Sequence, residues 1–157
     1  MKPIFVRSAT LADVRSVAAR LREADRQEVL AAVGVDPRLV FPAQYAEGRE
    51  ILAAGLQEND RAEIIFGCDP MTGDASVGII WMVSTEVMYD HPVEFVTTSR
   101  RIFQDYQSRY RVLTNFVDAR NEHHIKWLRW LCCHMIRRVE KFGAQSLPFI
   151  EFASIRS

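Results

Sequence analysis

The chain has 157 residues, 48% of them apolar and 25% charged, with 20 basic side chains against 20 acidic ones and a formal net charge of zero. That is enough chain for one domain with a real core, and the charge balance argues against the whole domain acting as a polyanion binder. No apolar run approaches the roughly 20 residues needed to cross a bilayer, and Met1-Lys2-Pro3-Ile4-Phe5-Val6-Arg7 is too short and too soon charged for a signal peptide. Cys68, Cys132 and Cys133 form no CxxC pair, so reduced thiols in a cytosol-like compartment are expected.

Ile4 to Val6 predicts a first strand. Thr10 with Asp13 forms a capping-box pattern before a helix carrying Leu11, Val14, Val17, Ala18 and Leu21 at helical spacing. Glu23 to Arg26 is a polar interruption, leaving one long helix or two joined ones. Val29, Leu30 and Val33 resume the pattern, Gly34 suits the residue after a helix end, and Pro37 prevents continuation. Leu39 to Pro42 reads as a connector, with Pro42 opening a helix over 43–55 that turns Tyr45, Ile51 and Leu52 inward. A strand follows over 62–68, and 69–74 is dense in turn formers. Val77 to Val83 scarcely alternates, as expected of a central strand covered on both faces. Past Ser84-Thr85 the chain turns towards His91-Pro92 and enters a helix ending near Tyr110, for which Thr98 or Ser99 could be the N-cap.

Val112 to Val117 predicts a strand, and Asn121 is a good N-cap for a helix with Ile125, Leu128 and Leu131 on one face. Strands over 135–141 and 149–153 complete the order β-α-α-β-β-α-β-α-β-β. This order implies an α/β (α+β) fold with a central mixed twisted sheet flanked by helices on both faces, as a single domain over 1–157.

Several residues carry candidate chemistry. Glu63, Glu86 and Asp118 could act as a general base, with Glu86, just past the central strand, the best placed. Tyr106 and Tyr110 could serve as an acid, although their helical spacing favours packing. His123 and His124 point about 100° apart on a helix and do not share a metal easily, so a solvated helix start is expected. Arg100, Arg101, Arg109 and Arg111 form the most basic segment and read as a solvated face.

The run from Arg111 to Phe152 resembles the C-terminal half of an acyltransferase of the GNAT superfamily, and the element order extends that resemblance over nearly the whole chain. The resemblance implies an acyl-CoA site. In that superfamily a Gln/Arg-x-x-Gly-x-Gly/Ala turn after the central strand holds the CoA diphosphate on backbone amides at a helix start. Here the stretch between Val83 and Phe95 has no glycine, carries Glu86, Asp90 and Glu94, and includes Pro92, which has no amide to donate. Cys132-Cys133 replaces the glycine that ends the superfamily's next helix. A degenerate or absent cofactor site, and so no cofactor, is therefore expected. If the chain is an enzyme instead, acetyl-CoA would meet Val83, Ser84 and Asn121, and Glu86 would be the base.

Asn115-Phe116-Val117, Asn121 to Leu128 and Pro148 to Phe152 resemble a narrower group, the GNAT-like internal virion protein A family of short-tailed (T-seven-type) bacteriophages. That resemblance implies a virion-assembly protein that acts by contact with other phage virion proteins, or as a homo-oligomer. It would work in the host cytoplasm or virion interior, with neither membrane nor nucleic acid as partner, and the resemblance supplies no catalytic residues.

Overall fold

A computed structural model describes residues 2–156. The chain opens with β1 (Ile4–Ser8), α1 (Leu11–Ala19), α2 (Glu23–Val33) and α3 (Pro37–Ala46). Strands β2 (Leu52–Leu56), β3 (Ile64–Met71) and β4 (Asp74–Ser84) follow, then a short 3-10 helix (Glu86–Asp90) and α4 (Pro92–Arg109). The chain continues through β5 (Val112–Asp118), α5 (Glu122–Trp130), β6 (His134–Phe142) and β7 (Leu147–Ile155).

The capping box forms as expected: Asp13 N donates to Thr10 Oγ1 at 3.1 Å, and Thr10 N donates back to Asp13 Oδ2 at 3.0 Å. Two helices form, but the break falls at 20–22: Glu23 to Arg26 is the start of α2, and Gly34, at φ +76°, ends that helix.

The next segment departs from expectation. Helix α2 ends before Pro37, as expected, but Pro37 itself opens α3, because a first-turn residue needs no amide partner. Pro42 lies inside α3, where it removes the partner of the Arg38 carbonyl on an exposed turn. No helix spans 43–55; its second half is β2. Gly55 is required there, since a Cβ would lie 2.1 Å from the Arg61 carbonyl oxygen. The 69–74 loop shrinks to a tight turn at Thr72-Gly73 between β3 and β4. Helix α4 is capped by His91 with Pro92 in its first turn, not by Thr98 or Ser99.

The sheet has seven strands in the order β1-β2-β3-β4-β5-β7-β6. All neighbours are antiparallel except β4 and β5. Strand alternation divides the interior into two cores. Ala53, Ile65 and Val83 face α1, α2 and α3, meeting Val14, Val17, Val29 and Phe41. Ala54, Ile64, Ile80, Leu113 and Val117 face α4 and α5, meeting Phe95, Phe103, Tyr106 and Leu128. Helices therefore cover both faces, and the parallel seam lies at the middle of the sheet.

Candidate functional site

Parallel strands β4 and β5 pair over only three positions, Val77 with Val112, Gly78 with Leu113 and Ile79 with Thr114. Beyond these the strands part, leaving a wedge. The Asn115 side chain bridges its apex: Nδ2 donates to the Ile80 carbonyl at 2.7 Å, and Oδ1 accepts from Phe116 N at 2.7 Å. Helix α2 spans the open end. Arg22 N donates to the Ser84 carbonyl at 2.9 Å, Ser84 N donates to Asp25 Oδ2 at 2.9 Å, and Asp118 N donates to Glu28 Oε1 at 2.7 Å. Backbone groups that an unbroken strand pair would satisfy are thus satisfied by α2.

Between apex and mouth lies a cavity of about 290 Å³, lined from both faces of the sheet. Its walls are mainly aromatic and aliphatic. Trp81 stacks on Phe41 at 5.4 Å on one side, and Phe142 packs between Phe116 and Phe149 at 4.5 and 4.6 Å on the other. Among the few polar lining groups, Gln44 Oε1, His124 Nδ1 and Trp127 Nε1 have no hydrogen-bond partner among the described residues. Burial lowers the pKa of His124, favouring the neutral ring.

The mouth gathers ionised groups. Arg22 pairs with Asp25 at 2.9 Å with both side chains buried, and Asn121 Nδ2 donates to Asp25 Oδ1 at 3.0 Å. Arg120 pairs with Asp118 at 2.7 Å. Glu28 lines the cavity, and no cation pairs with it among the described residues. Burial pushes its pKa up to about 8, reinforced by the Asp25 and Asp118 carboxylates and opposed by the Asp118 amide.

Of the residues expected to act, Val83 lines the cavity and Ser84 stands at its mouth with both backbone groups engaged. Asn121 occupies the N-cap position of α5, but its side chain makes no cap bond and instead holds Asp25. Glu86 is exposed on the 3-10 helix, outside the cavity. Glu63 is fully buried, bound by Arg20, Arg61 and Thr85 Oγ1, which marks it as structural. Tyr106 is buried in the cavity wall, and desolvation raises its pKa. The two histidines diverge: His123 is exposed, whereas His124 is buried and lines the cavity. The basic segment is exposed, with Arg100 over the Trp130 ring and Arg109 paired to Asp105.

Sequence reasoning missed Asp25, Glu28 and Gln44. The spacing of Arg22, Asp25 and Glu28, three residues apart, was the available signal, since it puts all three on one helix face.

The cavity has room for the acyl end of a thioester arm, but the helix start fits a diphosphate poorly. The turn contains no glycine, and Pro92 donates nothing. Glu94 accepts from its own amide, which holds its pKa below the usual carboxylate value; it also accepts from Lys2 N at 3.3 Å and lies 3.4 Å from His91 Nδ1. A carboxylate therefore stands where the helix would attract an anion. At the far end of α5, Cys132 takes φ +66°, the left-handed conformation that glycine adopts without strain. Cys133 is buried, with its thiol pushed up to about 12 by desolvation, whereas Cys132 is exposed. Among the described residues no cluster of metal-ligating side chains occurs, and no helix is long and apolar enough to cross a membrane.

No protein-family model and no curated protein sequence matches the chain. Solved structures do. A GCN5-related N-acetyltransferase from Kribbella flavida aligns with a TM-score of 0.71 at 16% identity, over 98% of each chain. Ribosomal-protein-alanine N-acetyltransferase from Brucella melitensis gives 0.67 at 16% identity, over 97% of this chain and 99% of the other. The yncA protein of Salmonella typhimurium, solved with its cofactor acetyl-CoA, gives 0.59 at 14% identity, over 97% and 93%. The mixed seven-stranded sheet flanked by helices on both faces is the fold of the GNAT acetyltransferases.

Proposed function

We propose that the protein is an N-acyltransferase of the GNAT type, moving an acyl group from a CoA thioester such as acetyl-CoA onto an amine. The observation that carries this reading is the wedge, a parallel pair that parts after three positions around an apolar cavity faced by one carboxylate without a cation. Acetyl-CoA, when bound, supplies an acyl carbon activated as a thioester. Glu28 supplies the complementary function. A carboxylate with a proton affinity near neutrality can take the proton that the amine nitrogen loses as it bonds to the acyl carbon; the acyl carbon–sulfur bond would break in the same exchange, CoA leaving as a thiolate that gains a proton from water while Glu28 returns its own to water. The base in this reading is Glu28, not the exposed Glu86, and Val83 and Ser84 border the acyl end. The fold relatives that are acetyltransferases support it.

Titration calorimetry with acetyl-CoA and CoA tests the reading. Binding with micromolar Kd supports it. No heat at about millimolar ligand, equivalent to less than roughly 4 kcal/mol of affinity, overturns it. Because Glu94 competes for the α4 start, Glu94→Gln is expected to raise CoA affinity several-fold.

A specific observation favours a second reading. The covered helix start suits a non-catalytic member of the fold; a part in bacteriophage virion assembly, by contact with other virion proteins or with copies of itself, rests on the sequence resemblance alone. Absence of CoA binding, together with co-purification of virion proteins, would select it.

A further inference from the structure

The charges at the wedge mouth balance only while Glu28 holds a proton. Asp25, Glu28 and Asp118 face one another there, and among the described residues only Arg22 and Arg120 pair with them. The carboxyl group left without a cation is the one on the cavity wall. Arg22 is committed to Asp25 and Arg120 to Asp118, so neither is free to neutralise Glu28 without breaking a bond already made. A cationic ligand supplies what the protein omits. Gln44 Oε1, also unpartnered on the cavity wall, is a second acceptor for an ammonium.

The remaining walls describe the rest of that ligand. Phe41 with Trp81, and Phe142 with Phe116 and Phe149, form aromatic walls on either side of the space below α2. A cavity of about 150 Å³ takes a benzene ring. The 290 Å³ here is shared between the two faces of the sheet, and about half of it suffices for a ring. Flat π surfaces favour a ring that stacks or meets them edge-on.

The geometry points to an arylalkylamine as the ligand of the wedge, its ammonium on Glu28 and its ring between the two aromatic walls. This rests on the acyltransferase reading only in making that amine the acyl acceptor; binding itself needs no CoA.

The test is calorimetry on the full chain, without CoA and at about pH 9, where Glu28 has released its proton and an alkylamine is still largely ammonium, with 2-phenylethylamine, 3-phenylpropanol, 3-phenylpropionate and butylamine. The expected result is 2-phenylethylamine binding at least tenfold tighter than each of the others. Glu28→Gln should remove that advantage and leave 3-phenylpropanol binding unchanged, which also shows that the variant is folded. The inference is overturned if 3-phenylpropionate binds as tightly as the amine, if no aryl compound binds, or if a folded Glu28→Gln protein binds the amine as before. Should the variant not fold, the ligand series on the unaltered protein decides alone. Amine binding without CoA binding keeps this inference and removes acyl transfer; CoA binding without aryl-amine preference does the reverse.

Discussion

Asp25→Ala is expected to lower the free energy of unfolding by about 4 kcal/mol, the range seen when one partner of a buried ion pair is removed. Three bonds are lost together: those from Arg22, from the Ser84 amide and from the Asn121 amide group. The larger part of the cost is what stays behind. Arg22 is 5% exposed, and without Asp25 its guanidinium has no counter-charge within reach of a hydrogen bond among the described residues. For a chain of this size the loss corresponds to a fall in Tm of roughly 10 °C, readable by scanning calorimetry. Glu23→Ala is the control. Glu23 pairs with Arg26 in a similar spacing but at the surface, and its loss should leave Tm unmoved. A Tm shift for Asp25→Ala no larger than the control's would show that α2 is not fastened to the wedge as described.

The second large effect is a dependence of stability on pH that Glu28→Gln should abolish. The folded-state pKa of Glu28, about 8, lies above the ordinary carboxylate value of 4.5. Between these values the folded protein holds a proton that the unfolded chain has released. The Glu28 contribution to stability is therefore fully present below pH 4.5, is lost as pH rises towards 8, and is constant above that. The groups facing Glu28 are Asp25 on its own helix, Asp118 on β5 with Arg120 beside it, and Asn121 at the start of α5. Asp25 and Asp118 are each ion-paired, to Arg22 and Arg120, and Asn121 carries no charge. Gln reproduces the protonated form and still accepts from the Asp118 amide. Urea denaturation at pH 5 and pH 8 should find the variant gaining about 2–4 kcal/mol on the unaltered protein between the two. Parallel pH profiles for the two proteins would refute the raised proton affinity of this carboxyl group.

Much of the fold was readable because burial imposes a period on the sequence. The capping box at Thr10, the unalternating run of β4 and the apolar stripe of α5 each kept the pattern that their environment demands. Strand β2 was hidden because Ala53, Ala54 and Gly55 carry almost no side chain to show alternation. They are small because backbone packs close there, as the Arg61 carbonyl against Gly55 shows. The turn after β4 was legible as a missing feature, since an absent glycine can be read directly. The wedge mouth was not. Arg22, Asp25 and Glu28 look like an ordinary solvated helix face until α2 is docked on the ends of β4 and β5, strands far away in the chain. His124 was masked likewise, by an exposed histidine immediately before it.

The short parallel seam also divides the sheet into two antiparallel leaves, β1-β2-β3-β4 and β5-β7-β6, which share only three paired positions. Beyond those positions the leaves are joined by Asn115, bonded to the Ile80 carbonyl, and by α2, which holds Ser84 on one leaf and Asp118 on the other. A molecule seated in the wedge touches both leaves and ties them together. Slower hydrogen exchange at the β4 and β5 amides thus reports whether the site is filled, with no need for turnover or a label.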